Sequence, residues 1–219
     1  MMTLRERWHA DVTALVPGAD PAAVGELGDE LLVRWRESHR AYHGPVHLAE
    51  VLAALDELAE GGDLPDEDRH LAELVAWFHD AVYETTAAPG ASEEASAVLA
   101  EQRLPLLGLR VAEVTRVARL VRDSATHEMA VDDAVSRAFH DADLWILASP
   151  TERFDSYCAQ VRAEYGHVRA RDFAWGRAAV LTPFAERERL YLTDHAHAHW
   201  SARARVNLAR ELARLAPPA

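Results

Sequence analysis

His47, the adjacent pair His79-Asp80, and Asp143 lie at intervals of 32 residues (47 to 79) and 63 residues (80 to 143). Together they would supply two imidazole nitrogens and two carboxylates. That mixed donor set suits a divalent ion such as Mn, Fe, Co or Zn, with water completing the shell. A single cysteine, Cys158, excludes an intramolecular disulfide and any multi-cysteine zinc or iron–sulfur site. Whether the four residues can meet depends on the elements that carry them.

Strong helix formers dominate the chain, β-branched runs are nearly missing, and Gly and Pro fall between periodic segments. The pattern predicts one all-α domain over 1–219. Its helices are expected near 3–15, 21–37, 45–60, 66–82, 92–103, 110–122, 132–148, 151–165, 169–185 and 200–215. In the segment 132–148, Val135, Phe139, Ala142, Ile146 and Leu147 form a core-facing stripe. Asp143 lies inside it, four residues after Phe139 and four before Leu147. A carboxylate on such a face needs a partner, either an arginine or a metal ion. In 66–82, His79 falls among Leu71, Leu74, Val75, Phe78 and Val82, with Asp80 next to it near the helix end. There a loosening backbone lets adjacent side chains converge. Pro45 suits the first position of the next candidate helix, which places His47 in its first turn beside Leu48, Val51 and Leu52.

Other histidines read differently. In His195-Ala-His197-Ala-His199 only His195 and His199 share a helical face, and no carboxylate joins them. His140-Asp141 mimics the His-Asp pair, but Asp141 lies about 200° round the helix from Phe139 and is expected to face away from the core. Cys158 has no catalytic context and reads as a structural thiol.

All 23 basic residues are arginine, and against 36 acids they give a net charge of −13. That balance argues against a nucleic-acid polymer as partner. The segment MMTLRERWHADV is charged where a signal peptide needs an apolar run, and no stretch approaches the ~18 apolar residues of a membrane span. The expectation is a cytoplasmic protein without a membrane partner.

The ordered set H…HD…D resembles the signature of the HD superfamily of metal-dependent phosphohydrolases. More narrowly, residues 35–210 are similar to a bacterial family of predicted HD phosphohydrolases, through RAYHGPVHLAEVL, AWFHDAVYE, SEEASA, VRDSATH, FHDADLWIL, VRAEYGHV, WGRAAVL and ARVNL. The YHGPVH and ADL segments are also similar to segments of cyclic nucleotide phosphodiesterases, which favours Asp143 over Asp141 as the ligand. The resemblance implies an HD-domain helical bundle with additional C-terminal helices. One divalent ion is implied on His47, His79, Asp80 and Asp143, since His127 is the sole obvious extra ligand between Asp80 and Asp143. Glu93, which matches a family glutamate, is the expected orienting or proton-accepting group for water; its alternative is a helix-start acid favoured by the dipole. His43 is expected to protonate a leaving oxygen or bind phosphate, and Asp80 is counted with the catalytic groups as well as the ligands.

Arg40 is the leading phosphate-binding candidate, since it offers a charged fork three residues before His43. His127, Arg162 and Arg177 are further substrate-binding candidates, the two arginines having pairing with a buried acid such as Glu164 as their alternative. Two departures stand out: Gly44 and Ser92 occupy positions where the family usually has Asn. The resulting expectation is hydrolysis of a small-molecule phosphoester such as a nucleotide. A non-catalytic regulatory protein is the second reading and a di-iron oxidase the third. The sequence leaves the oligomeric state open.

Overall fold

The computed structural model describes residues 2–127 and 132–216, and their regular structure is entirely helical. The helices are α1 (Leu4–Leu15), α2 (Pro21–Trp35), α3 (Pro45–Glu60), α4 (Asp66–Phe78) and α5 (Ala91–Arg103). They continue with α6 (Val111–Asp123), α7 (Ala134–Asp143), α8 (Thr151–Glu164), α9 (Ala170–Glu186) and α10 (Asp194–Leu215). The expected all-α class is therefore observed. None of these helices is long and apolar enough to cross a membrane.

Helix α4 is central because Leu71 to Phe78 are all buried, which an amphipathic surface helix would not allow. It packs against α1, α3, α6 and α7. Trp8, Trp35, Trp77, Phe78 and Phe139 have no exposed surface and fill the space between these helices. Each buried indole N–H finds an acceptor, as such groups must. Trp8 donates to the Val24 carbonyl at 2.7 Å, Trp35 to the Trp77 carbonyl at 3.1 Å and Trp77 to Asp11 at 3.0 Å.

Three helix ends differ from the sequence expectation, and each difference has a local cause. The helix expected over 66–82 stops at Phe78. Beyond it, Arg40 takes the Asp80 and Ala81 carbonyls, and Ser96 Oγ accepts the Val82 N–H at 2.9 Å. The helix expected over 132–148 tightens into a 3-10 segment at Leu144–Ala148. Tyr191 and Asn207 donate to the carbonyls of that turn, at Leu144 (3.0 Å) and Leu147 (2.9 Å). Helix α10 begins at Asp194 rather than 200, capped by the Thr193 hydroxyl, so His195, His197 and His199 are helical.

Beneath α4 lies a buried charge network. Asp11 and Glu73 are fully buried and meet Arg7, Arg69 and His70; Asp56 completes the set. Hydrogen bonds to Asp11 and Glu73 push His70 up to about 9, while burial pushes Asp11 up to about 6. The stabilisation from charged His70 is thus complete below its ordinary 6.5 and lost as pH rises through about 9. Asp11 acts in the same direction between 3.8 and about 6. Melting temperatures should fall between pH 7 and 9, and His70→Gln should flatten that slope.

Candidate metal centre

Three helix ends converge on one point. Pro45 opens α3 and puts His47 in its first turn; His79 caps the C-terminus of α4, with Asp80 in the turn that follows; Asp143 is the last residue of α7. His79 keeps helical backbone angles as the cap of α4, and its side chain and that of Asp80 still reach the same place, Nε2 to Oδ2 at 3.1 Å. The carbonyl ends of α4 and α7 add negative potential there, which favours a cation.

The ligand atoms of His47, His79 and Asp80 lie close enough together to share one ion, and Asp143 approaches them through the two imidazoles. His47 Nε2 lies 3.2 Å from His79 Nε2, 3.2 Å from Asp143 Oδ1 and 3.7 Å from Asp80 Oδ2. His79 Nε2 lies 3.1 Å from Asp80 Oδ2 and 3.5 Å from Asp143 Oδ1. Donors bonded at ~2.0–2.2 Å to a common ion stand roughly 3.0–3.6 Å apart when adjacent in its shell. His79 Nδ1 bonds the Ala76 carbonyl at 2.8 Å, so that nitrogen carries a proton and Nε2 is the nitrogen that faces the site. His47 Nδ1 is held by the Tyr42 hydroxyl at 3.0 Å.

The charge balance separates this cluster from the one under α4. Asp11, His70 and Glu73 also group closely enough for a metal, but Arg7 and Arg69 already neutralise them. At Asp80 and Asp143, no arginine pairs with either carboxylate among the described residues; their partners are His47, His79 and His127. Burial opposes charge on His79, yet the two carboxylates hold its imidazole well above the usual value. Burial also opposes charge on Asp80 and Asp143, and there the imidazoles prevail, holding both well below the carboxylate range. Such a donor set could hold a divalent ion.

A cavity of about 230 Å³ opens over the cluster and is lined by His43, Tyr83, Glu93, Ser124 and His127 as well as the ligands. Glu93 is half-buried in the first turn of α5. His127 brings Nε2 to 3.8 Å from Asp143 Oδ2, on a residue held at φ 51°. Burial pushes its imidazole down to about 4, and its buried Nδ1 has no hydrogen-bond partner among the described residues.

Glu164, not singled out from the sequence as a functional residue, organises the His43 side of the cavity. Its Oε1 accepts the N–H groups of Ala41, Tyr42 and His43 at 2.7–2.9 Å, and its Oε2 bonds His43 Nδ1 at 2.7 Å and the Tyr83 hydroxyl at 3.0 Å. Burial works against its charge, but His43 and these donors hold Glu164 down at about 2. The His43 ring is further fixed by stacking on Tyr83 at 4.1 Å.

The structure places the three candidate arginines on partners outside the His/Asp cluster. Arg40 does not line the cavity; its side chain is 1% exposed and engages Glu37 and the backbone carbonyls of His43, Asp80 and Ala81. It ties the His43 loop to the Asp80 turn. Arg162 bonds the Tyr165 and Val168 carbonyls, and Arg177 bonds the Tyr157 hydroxyl, so neither pairs with Glu164 or reaches the ligands. All three are drawn to local acceptors that helical spacing does not reveal.

The decoys have structural uses. Asp141 is fully buried rather than turned outward, because α7 is covered on both sides. It accepts from Leu192 N, Thr193 N and Thr193 Oγ1 at 2.6–2.8 Å and anchors the start of α10. His195 bonds Glu57 at 2.9 Å. Burial pushes the Cys158 thiol up to about 12, which keeps it protonated.

Both Asn-to-other departures can be placed. Ser92 Oγ accepts the Glu84 N–H at 3.1 Å and so ties the loop after Asp80 to α5. Gly44 leaves α3 without a side-chain cap, in extended backbone (φ −126°, ψ −167°) that any residue adopts. A Cβ there would meet only the Trp35 carbonyl, at 3.5 Å. Gly44→Asn should therefore cap α3 and raise unfolding free energy by about 0.5–1 kcal/mol in denaturant titrations. No family model matches the chain, and no curated protein or solved structure matches it.

Proposed function

We propose that this chain is an HD-type helical bundle that hydrolyses a phosphoester of a small molecule with the help of one divalent ion. The observation that carries the reading is the convergence of His47, His79, Asp80 and Asp143 with no arginine to neutralise them. Those four residues would hold the ion. When bound, such an ion polarises a phosphoryl oxygen and lowers the pKa of a water toward ~7.

The chain's own residues supply the rest. Glu93, facing the cavity, orients water and accepts its proton. The water oxygen bonds to phosphorus as the ester P–O bond breaks, and the departing oxygen takes a proton to leave as an alcohol. His43 donates that proton: Glu164 fixes its Nδ1, which leaves Nε2 as the nitrogen free to exchange with substrate. Tyr42 keeps His47 in register, and Arg40 keeps the His43 and Asp80 backbones together.

A binding protein without turnover is the second reading, favoured by Gly44 and Ser92 at positions where the resembling family has Asn. Phosphomonoesters, phosphodiesters and nucleotides assayed with Mn, Fe, Co and Zn separate the two. Turnover that disappears in Asp143→Ala supports hydrolysis. One bound ion with no turnover favours the binding protein, and two irons with oxygen consumption would favour an oxidase.

A further inference from the structure

A second cavity, of about 300 Å³, adjoins the metal pocket. It lies between the C-terminal end of α8 and helix α9, with Val161, Val168, Phe173 and Val180 making it predominantly apolar and Asp172 and Arg177 as its charged lining. Tyr165 lines both cavities, so they meet at that residue. The size is adequate for a ring system: benzene occupies an engineered apolar cavity of roughly 150 Å³, and small-molecule pockets begin near ~300 Å³.

Gly176, in the middle of α9, gives an independent sign that the space is kept open. Glycine inside a helix costs about 0.5–1 kcal/mol relative to alanine, and close packing usually explains its presence. Here a Cβ would meet no atom within 4 Å, and the residue lines the cavity. Any larger side chain at 176 would enter that space. Within α9, Leu181 is the one fully buried residue among those described, so the helix does not close the gap by packing on α8.

Charge limits what lies at the other end of a ligand. The chain has no lysine, and no arginine lines the metal pocket. Arg40 and Arg162 are engaged with backbone carbonyls, and Arg177 lies over the Tyr157 ring at 4.9 Å. In the metal pocket a second or third phosphate would find Glu93, Asp80 and Asp143 and no arginine among the described lining residues; Arg177 lines the adjoining cavity instead. Sites built for polyphosphates clamp each phosphate with Arg, Lys or metal.

We infer that the substrate is a phosphomonoester whose organic half is an apolar ring group, seated in the cavity between α8 and α9 while its single phosphate sits at the His/Asp cluster. This rests on the hydrolase reading. Di- and triphosphates are poor substrates.

The test uses 2-naphthyl phosphate, glycerol phosphate and ATP as substrates, and 2-naphthol as a binding probe without phosphate. Wild type should turn over naphthyl phosphate with kcat/KM at least tenfold above glycerol phosphate and further above ATP. Gly176→Leu should lower the naphthyl-to-glycerol ratio at least tenfold, with no fall in melting temperature because leucine is the better helix former. Calorimetry should detect 2-naphthol binding to wild type and to Asp143→Ala, and none to Gly176→Leu. Equal turnover of the three esters, or naphthol binding that Gly176→Leu leaves intact, overturns the inference alone. No turnover of any phosphoester by metal-loaded wild type overturns the hydrolase reading and the inference with it, whichever way naphthol binds.

Discussion

Asp143→Asn should bind Mn²⁺ or Zn²⁺ at least ~100-fold more weakly than wild type, since loss of even an outer-shell partner costs ~10–100-fold. The substitution keeps the side-chain volume and removes only the charge that lies 3.2 Å from His47 Nε2 and 3.5 Å from His79 Nε2. His79→Ala should lose at least as much affinity, but it also empties space beside Phe139 and Trp35 and so lowers stability. Thermal melts separate the two effects. An ion at 100 times its Kd stabilises wild type by about 2.7 kcal/mol, which is roughly 5–10 °C for a chain of this size. Asp143→Asn should show no such shift at that concentration while keeping its helical circular dichroism. An undiminished shift would remove Asp143 from the ligand set.

Arg7→Met should be the most destabilising single change outside the site, by about 3–5 kcal/mol, against total stabilities of ~5–15 kcal/mol for a domain. Arg7 bonds Asp11 at 3.1 Å and Asp56 at 2.6 Å and also contacts Glu73. Removing it leaves two fully buried carboxylates, Asp11 and Glu73, with only Arg69 and His70 to balance them. Replacing Arg7, Asp11 and Glu73 together with apolar residues should restore much of the loss, because the penalty comes from unpaired charge. Urea denaturation of the single and triple variants measures both quantities. A loss below ~1 kcal/mol for Arg7→Met would contradict the assignment of this network as a charge-compensated core.

The meeting of His47, His79, Asp80 and Asp143 was more legible in the sequence than the residues around it. His47, His79 and Asp143 were legible because each sits on the apolar stripe of a helix, and a polar group in such a stripe signals burial with a partner. Asp80 was legible only as the neighbour of His79 near a helix end, since helical spacing alone sets the two side chains about 100° apart. Glu164 was not legible as the residue that orients His43, because its partners Ala41 to His43 are more than 120 positions away. Its one signal is a glutamate on the inner face of α8. Asp141 misled because helical periodicity assumes one buried face, whereas α7 has two. The start of α10 was legible in principle: Thr193-Asp194 is an N-cap signature, obscured by the alternating histidines that follow. Arg40 illustrates the opposite limit, since a guanidinium near a histidine suggests phosphate binding whether it faces the pocket or the backbone.

The central claim is that His47, His79, Asp80 and Asp143 form a metal centre. It is tested most directly by stripping the purified protein with a chelator, reloading it with Mn, Fe, Co or Zn, and counting ions per chain by native mass spectrometry. About one ion per wild-type chain is expected, and close to none in Asp143→Asn under the same loading. Wild type that retains no ion after reloading with any of the four would contradict it.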